Sequence, residues 1–347
     1  ICHSEMHSAL TRCVVRSNVG QIRQPLKFLH NRAANAVSIR IPITTAKRWN
    51  SEPVNPSSGQ NISQVNRLFD SLQHTDVAEP ENDPIFQTSS EGEIGQKNFR
   101  AVIFQSTPGM IDIHQASPIF GVPLYSHEDE NLIHMVCEIP KGTTEKMEVN
   151  QRDPQHAICQ DVNPDGKLRF YKHGPMLWNY GMLPQTSEDS ETPCPHTGLL
   201  GDGDPLDVID IGSNILCIGE VIKIKPLGAL ALIDQGEIDW KIIGINHKDE
   251  LASHLEDVRD IEDILPGMLS EIKEWFRVYK IAEGKEENKF AMDGEFQDRS
   301  FTMDLIADCY ENVFDVLPRI YAKIEKEYGR DPKTYRPRRK RPSLKEQ

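Results

Sequence analysis

Five carboxylates and a lysine lie in two short stretches that otherwise read as apolar strand: Asp202, Asp204 and Asp207 in GDGDPLDVIDIG, and Asp234, Asp239 and Lys241 in ALIDQGEIDWKIIGI. A folded chain does not leave several like charges unpaired beside a core, so something cationic must sit among them. In an extended chain residues two apart share a face, which lets Asp202 point with Asp204 and Asp239 with Lys241. Gly203 permits close backbone approach, and Pro205 enforces a bend before Asp207. Magnesium takes hard oxygen ligands and keeps several waters, so such a set suits two or more ions that share their remaining positions with phosphate. Two ions held in this way can acidify a water and neutralise a departing phosphate. A calcium loop is excluded because Leu206 occupies the third ligand place. A DxD sugar transferase would leave Asp234, Asp239 and Lys241 without a role.

Other groups that a phosphate site needs are scattered through the chain. Glu138 ends one apolar run, Lys146 and Glu148 alternate in KMEV, and Arg169 sits in KLRFY. Tyr180 follows in WNYGMLPQT, and Tyr279 and Lys280 in WFRVYK. Singly each reads as a solvated charge or a core aromatic. Together, Lys and Arg donors with tyrosyl hydroxyls can clamp the oxygens of a departing phosphate while carboxylates hold metal on the attacking side.

These residues need a scaffold, and the 347-residue chain supplies enough apolar sequence for one sizeable core. Short β-like runs succeed one another from Phe99: RAVIF, LIHMVCEI, KMEV, KLRFY, LDVIDI, ILCIGEVIKIK, ALALI and WKIIGI, separated by Gly, Pro and Asp turns. Their spacing predicts a small closed β-barrel. Pro266 opens a helix whose Met268, Leu269, Ile272, Trp275, Phe276 and Tyr279 recur at three- and four-residue steps, and a second helix is predicted over 302–317. Residues 1–51 carry eight Lys/Arg against Glu5 alone, as an organelle transit leader does. Residues 52–96 read as Pro/Ser/Asn/Glu-rich linker, 97–317 as the folded body, and 318–347 as a basic extension with eleven Lys/Arg against four acids. The net charge of −14 is therefore concentrated in an acidic body, which repels nucleic acid and attracts divalent cations. Only the Arg/Lys-rich tail around Arg336–Arg341 offers nucleic acid or anionic lipid a contact. No apolar stretch approaches a bilayer span. Seven cysteines form no CxxC pair, so structural zinc is not expected.

The motifs resemble those of the soluble, magnesium-dependent inorganic pyrophosphatases of eukaryotic and organellar type over about Phe99 to Leu317. The resemblance is carried by D-x-D-P-x-D at Asp202–Asp207, EIP at Glu138, KLRF at Arg169, NYGMLPQT at Tyr180, DQGEIDWK at Asp234–Lys241 and EWFRVYKIAEGKEENKF at Tyr279 and Lys280. It implies an α+β, mainly β fold: an OB-like closed five-stranded barrel with flanking strands and two C-terminal helices. It implies hydrolysis of pyrophosphate to two phosphates with several Mg2+ ions, for which Mn2+ substitutes. Asp202, Asp207 and Asp239 would bind the metal pair that activates water, Asp204 would be the general base, and Asp234 and Glu148 would hold additional metals. Lys146, Arg169, Tyr180, Lys241, Tyr279 and Lys280 would grip the phosphates, with Glu138 in support.

Three departures from the family pattern stand out. Met176 replaces a second tyrosine ahead of NYG, which implies weaker phosphate binding. Gln185-Thr-Ser-Glu-Asp-Ser190 replaces QTWEDP, which implies an altered surface loop. Lys141-Gly142 replaces an Arg-Trp pair, which implies a homodimer with an altered interface. With the leader, the expected setting is the mitochondrial matrix, or else the plastid stroma. The competing reading is a pyrophosphatase-like subunit of a large organellar assembly, docked by its basic ends.

Overall fold

Alternation of side chains along the strands sorts the apolar residues onto two opposite faces, and each face packs into its own cluster. Val136, Ile139, Ile209, Ile243 and Ile245 join one cluster with Trp178, Trp275 and Phe276. Met135, Cys137, Val208, Trp240 and Ile242 join the other with Leu305, Ile306 and Cys309. The computed structural model describes residues 83–108, 113–129, 131–151, 153 and 155–328, with side chains to 313. The predicted leader, most of the predicted linker and the basic tail beyond 328 lie outside the described residues.

Strands β4 (Ile133–Ile139), β7 (Asn179–Met182), β8 (Asp207–Asp210), β9 (Val221–Asp234) and β10 (Glu237–Asn246) form a ring of pairings. The order β10-β8-β7-β4-β9 returns on itself because β9 also pairs with β10, and β11 (Lys289–Phe290) adds to β9 outside the ring. All these ladders are antiparallel except β8 against β10. Register shifts at Cys137/Ile139 and at Ile243/Gly244 interrupt the ladder, so the predicted barrel is present with five strands but is not strictly closed. Gly181 is required where β7 crosses β4, because a Cβ there would come 2.0 Å from the Val136 carbonyl oxygen.

A second sheet flanks the ring. It joins β1 (Ile85–Glu91), β2 (Arg100–Ser106), β6 (Ile158–Gln160) and β5 (Met147–Val149) in that order, with β3 (Ile113–Ala116) also on β2. β1 falls inside the stretch read as linker. Its Thr and Ser residues are mostly exposed, so backbone pairing with β2 from Ile85↔Ser106 to Glu91↔Arg100 holds it rather than a continuous apolar face, helped by Phe86 against the first core cluster and by the Thr88 hydroxyl donating to the Gly219 carbonyl at 2.5 Å. Two further expectations change. The run read as ILCIGEVIKIK, from Val221 onward, and the run ALALI are one 14-residue strand, β9, bent where Pro226 and Gly228 face Gly244 and Ile243. KLRFY forms only isolated bridges, Glu145↔Phe170 and Val162↔Leu168.

Three helices complete the body: α1 (Val258–Ile264), α2 (Met268–Val278) and α3 (Arg299–Tyr328). Asp257 and Asp260 make a reciprocal capping box at the start of α1. The predicted stripe of α2 buries Ile272, Trp275 and Phe276, with Tyr279 as its C-cap. α3 begins three residues before the predicted start and runs on through Pro318, eleven residues past the predicted end at Leu317. A proline removes one backbone donor, and the Ile, Tyr, Ala, Lys and Glu residues that follow are good enough helix formers to carry the turn past it. Among the described residues no helix is long and apolar enough to cross a membrane.

Asp83 fastens the start of this body to β9. Its carboxylate accepts from the Ser126 hydroxyl (2.7 Å) and the His127 N–H (2.8 Å) and pairs with Lys223 at 2.6 Å. Burial opposes its charge, but Lys223 and the two hydrogen bonds outweigh burial and hold its pKa at about 2, below the ordinary 3.8. Depression means stability that is present above 3.8 and lost as pH falls through about 2. Asp83→Asn should therefore cost about 1 kcal/mol at neutral pH after allowance for solvent screening. In urea denaturation curves that difference should shrink as pH falls from 3.8 to about 2.

Candidate active site

The parallel pairing of β8 with β10 sets Lys241 opposite Asp207, and the two-residue strand period puts Asp239 on the same face as Lys241. That face is the one that carries Ile243 and Ile245 into the first core cluster, so the site is its polar end. The Lys241 ammonium, 2% exposed, pairs with both Asp207 and Asp239 and donates to the Tyr180 hydroxyl at 3.1 Å. It lies 5.6 Å from the Tyr180 ring centre and 5.7 Å from that of Phe276. Tyr180 in turn donates to Asp207. Asp210, the remaining acid of β8, faces away and accepts from Asn179 and from the N–H groups of Gly212 and Asn246.

Asp202 and Asp204 stand at the exposed mouth on the loop entering β8. Gly203 between them has φ of 87°, and the Asp204 N–H donates to Asp202 at 2.9 Å. The loop is laced to 185–190 by Gly203 N–H to the Glu188 carbonyl and Glu188 N–H to the Asp204 carbonyl, both 2.9 Å. This lacing brings in a residue that sequence reading left in a surface loop. Glu188 is 4% exposed, accepts the Trp240 N–H at 2.7 Å, and has a carboxylate oxygen within 4.8 Å of ligand oxygens of both Asp202 and Asp239. Thr186 and Ser187 are buried beside it, so this segment is a wall of the site rather than an altered surface loop.

The electrostatics record a shortage of positive charge. Burial, then the Asp207 and Asp202 charges, push Asp239 up to about 8 even though Lys241 pulls the other way. Burial, then Asp202 and Asp207, raise Asp204 to about 7. Burial and Asp239 push Glu188 well above the carboxylate range. Three converging carboxylates with a lysine ammonium already drawn between two neighbours are the donor set and the field that a hard divalent cation fits.

A basic cluster faces this acidic one. Lys146 contacts Glu148 at 2.6 Å and Asp161 at 3.2 Å, and Arg169 contacts the same Asp161 oxygen at 2.5 Å. Asp161 is the second residue missed in the sequence. It follows β6, and only the backbone bonds Asp161 N–H to Lys146 and Arg169 N–H to Asp161 set it between its partners. Glu138 is buried at the end of β4 and accepts the Val149 N–H at 2.7 Å, which fixes β5 and hence Lys146 and Glu148. Its pKa is pushed well up by burial and then by the Asp207 charge. Lys280 pairs with Asp234 at the end of β9, and Tyr279 stacks on Trp275 with ring centres 5.0 Å apart. Met176, which stands where a second tyrosine was expected, is fully buried in the first core cluster. Asp207, Asp239, Lys241 and Tyr180 are thus joined directly, with Asp202 and Asp204 on the adjoining loop, while Lys146, Glu148 and Arg169 gather around Asp161, and Lys280 holds Asp234.

Comparison with known proteins follows the same outline. The family model described as inorganic pyrophosphatase matches residues 135–313. An inorganic pyrophosphatase of Drosophila melanogaster is 44% identical over 199 residues, 56% of this chain and 59% of that protein. One of Eremothecium gossypii is 45% identical over 199 residues and is covered to 69%. Among solved structures, an N-terminally truncated Trypanosoma cruzi vacuolar soluble pyrophosphatase in complex with PPi superposes with a TM-score of 0.66 at 34% identity, covering 79% of this chain and 99% of that one. A type I inorganic pyrophosphatase of Toxoplasma gondii gives 0.62 at 37% identity over 67% of this chain and all of that one.

Because Lys241 is the neutralising charge at the β8–β10 seam, Lys241→Met should leave Asp207 and Asp239 without a cationic partner, Asp207 keeping only the Tyr180 hydroxyl. The metal-free variant should lose about 3–5 kcal/mol in urea denaturation, with part of the loss restored by a divalent cation. A metal-free loss below about 1 kcal/mol would show that solvent screens this pair as it screens surface ones.

Proposed function

Since the chain belongs to the inorganic pyrophosphatase family, we propose that it hydrolyses inorganic pyrophosphate to two phosphates, with magnesium as the resident metal and manganese able to substitute. The observation that carries this reading is the convergence of Asp202, Asp207, Asp239 and Glu188 around Lys241, opposite the cluster of Lys146, Asp161 and Arg169. All the candidate donors are hard oxygens, which favours magnesium. When bound, the metal supplies acidity to water and charge to offset phosphate.

The family resemblance assigns the roles of the chain's own groups. Asp202, Asp207 and Asp239 would hold a metal pair, and Glu148 and Asp234, each already beside a lysine, would hold additional metal. Asp204 sits at the mouth beside Asp202, where it would accept a proton from water; without metal, burial and the Asp202 and Asp207 charges raise its pKa to about 7. Lys146, Arg169, Lys241 and Lys280 supply charge to the phosphate oxygens, and Tyr180 and Tyr279 supply hydroxyl donors. Glu138 acts at one remove, by holding β5 in place through Val149. The acid-poor, basic stretch 1–51 has the composition of an organelle leader, which supports a mitochondrial matrix setting with the plastid stroma as the alternative.

Release of phosphate from pyrophosphate by the purified chain, with and without Mg2+, tests the reading beside Asp204→Asn. Metal-dependent release that falls at least ~10²-fold in the variant is expected if Asp204 is the base. A well-folded wild type that releases no phosphate would remove the enzymatic reading.

A further inference from the structure

Arg169 and Tyr171 are two apart on a segment held extended by Arg169 N–H to Asp161 (2.8 Å) and Tyr171 N–H to Thr144 (2.7 Å). They share a face, while Phe170 between them turns outward at 42% exposure. That face is the basic side of the site. The Tyr171 ring meets Trp275 edge-on at 5.3 Å and Tyr279 at 5.8 Å, which leaves it 7% exposed.

Its hydroxyl bonds to no described residue, whereas the Tyr180 hydroxyl is committed to Asp207. Among the described residues, the sealed side-chain polar atoms without a partner belong to Gln105, Gln160, Trp240 and Arg299. The Tyr171 hydroxyl is not one of them, so it opens on space that water or a phosphate oxygen can reach. Burial first, and then the Asp207 charge, push its pKa up against the pull of Lys146, Lys241 and Arg169, so it keeps its proton as a donor. Packing alone would be served as well by phenylalanine. A largely buried hydroxyl without a protein partner recovers its lost hydration only when an acceptor arrives, and the three cations around it select an anionic one.

We propose that Tyr171 is a substrate-binding residue whose hydroxyl donates to a phosphate oxygen held between Lys146, Arg169 and Tyr279. This rests on the pyrophosphate reading of the site. Tyr171→Phe deletes the hydroxyl and keeps the ring contacts, so the variant should fold. Calorimetric titration with methylene diphosphonate, a pyrophosphate analogue that cannot be hydrolysed, in the presence of Mg2+ should show affinity weakened ~10-fold or more, since the lost bond is to a charged acceptor. KM for pyrophosphate should rise with it, because the contact forms in the ground state. The urea midpoint should be unchanged or raised, because the hydroxyl has no protein partner to lose. Unaltered diphosphonate affinity and KM would overturn the proposal, as would a lowered urea midpoint with affinity intact, which would mark the hydroxyl as structural. A wild type that hydrolyses no pyrophosphate would instead sink the enzymatic reading, and the calorimetric comparison would still decide the role of Tyr171.

Discussion

Carboxylates placed against a dry wall must find positive charge, and the arrangement at the β8–β10 seam follows from that requirement. Asp207 and Asp239 are carried by strands whose same face continues into isoleucines, so water reaches them only in part. Lys241 meets the need from inside the chain, and the Tyr180 and Phe276 rings close over it. Its single charge does not balance five acids, and the raised pKa values of Asp239, Asp204, Asp202 and Glu188 are the remainder. An interior that keeps this imbalance loses stability by it, which is the usual sign of a surface shaped for a ligand rather than for the fold.

The opposite wall is built by a different device. Lys146 and Arg169 come from segments with little regular structure, and Asp161 binds both so that they do not spread apart. Repulsion between two cations is thereby offset while their outward charge remains available. The aromatic cluster of Trp275, Tyr279 and, edge-on, Tyr171 supplies a low-dielectric surface beside the basic wall, and this makes each charge act more strongly than it would in open water.

What could be read from the sequence was whatever obeys a short period or a contiguous pattern. Asp239 and Lys241 were legible because a strand repeats every two residues, and Asp202 to Asp207 because they lie together beside Gly203 and Pro205. The α2 stripe was legible for the same reason at helical spacing. Glu188 and Asp161 were not, because each is recruited by backbone bonds to a segment distant in sequence, Glu188 through Asp204 and Asp161 through Lys146. Acids in QTSEDS and in CQDVNPDG look alike until such bonds select one of them. Asp210 shows the converse: it belongs to the same acidic run as Asp207 but is consumed by Asn179, Gly212 and Asn246. The bend that joins two predicted strands into β9, the pairing of β1 without a continuous apolar face and the passage of α3 through Pro318 likewise depend on partners rather than on local preference.

The alignment of Lys241 with Asp207 across β8 and β10 also bears on how the chain reaches its fold. A slip of one residue would turn Asp239 and Lys241 toward Leu305, Ile306 and Cys309, and would bring Ile238 and Trp240 out among the acids. Mispairing is thus rejected twice over, by oil and by charge. The groups that would meet the substrate double as proofreaders of strand registration during assembly, so a change at Asp239 or Lys241 can lower the yield of correctly folded chain as well as its chemistry.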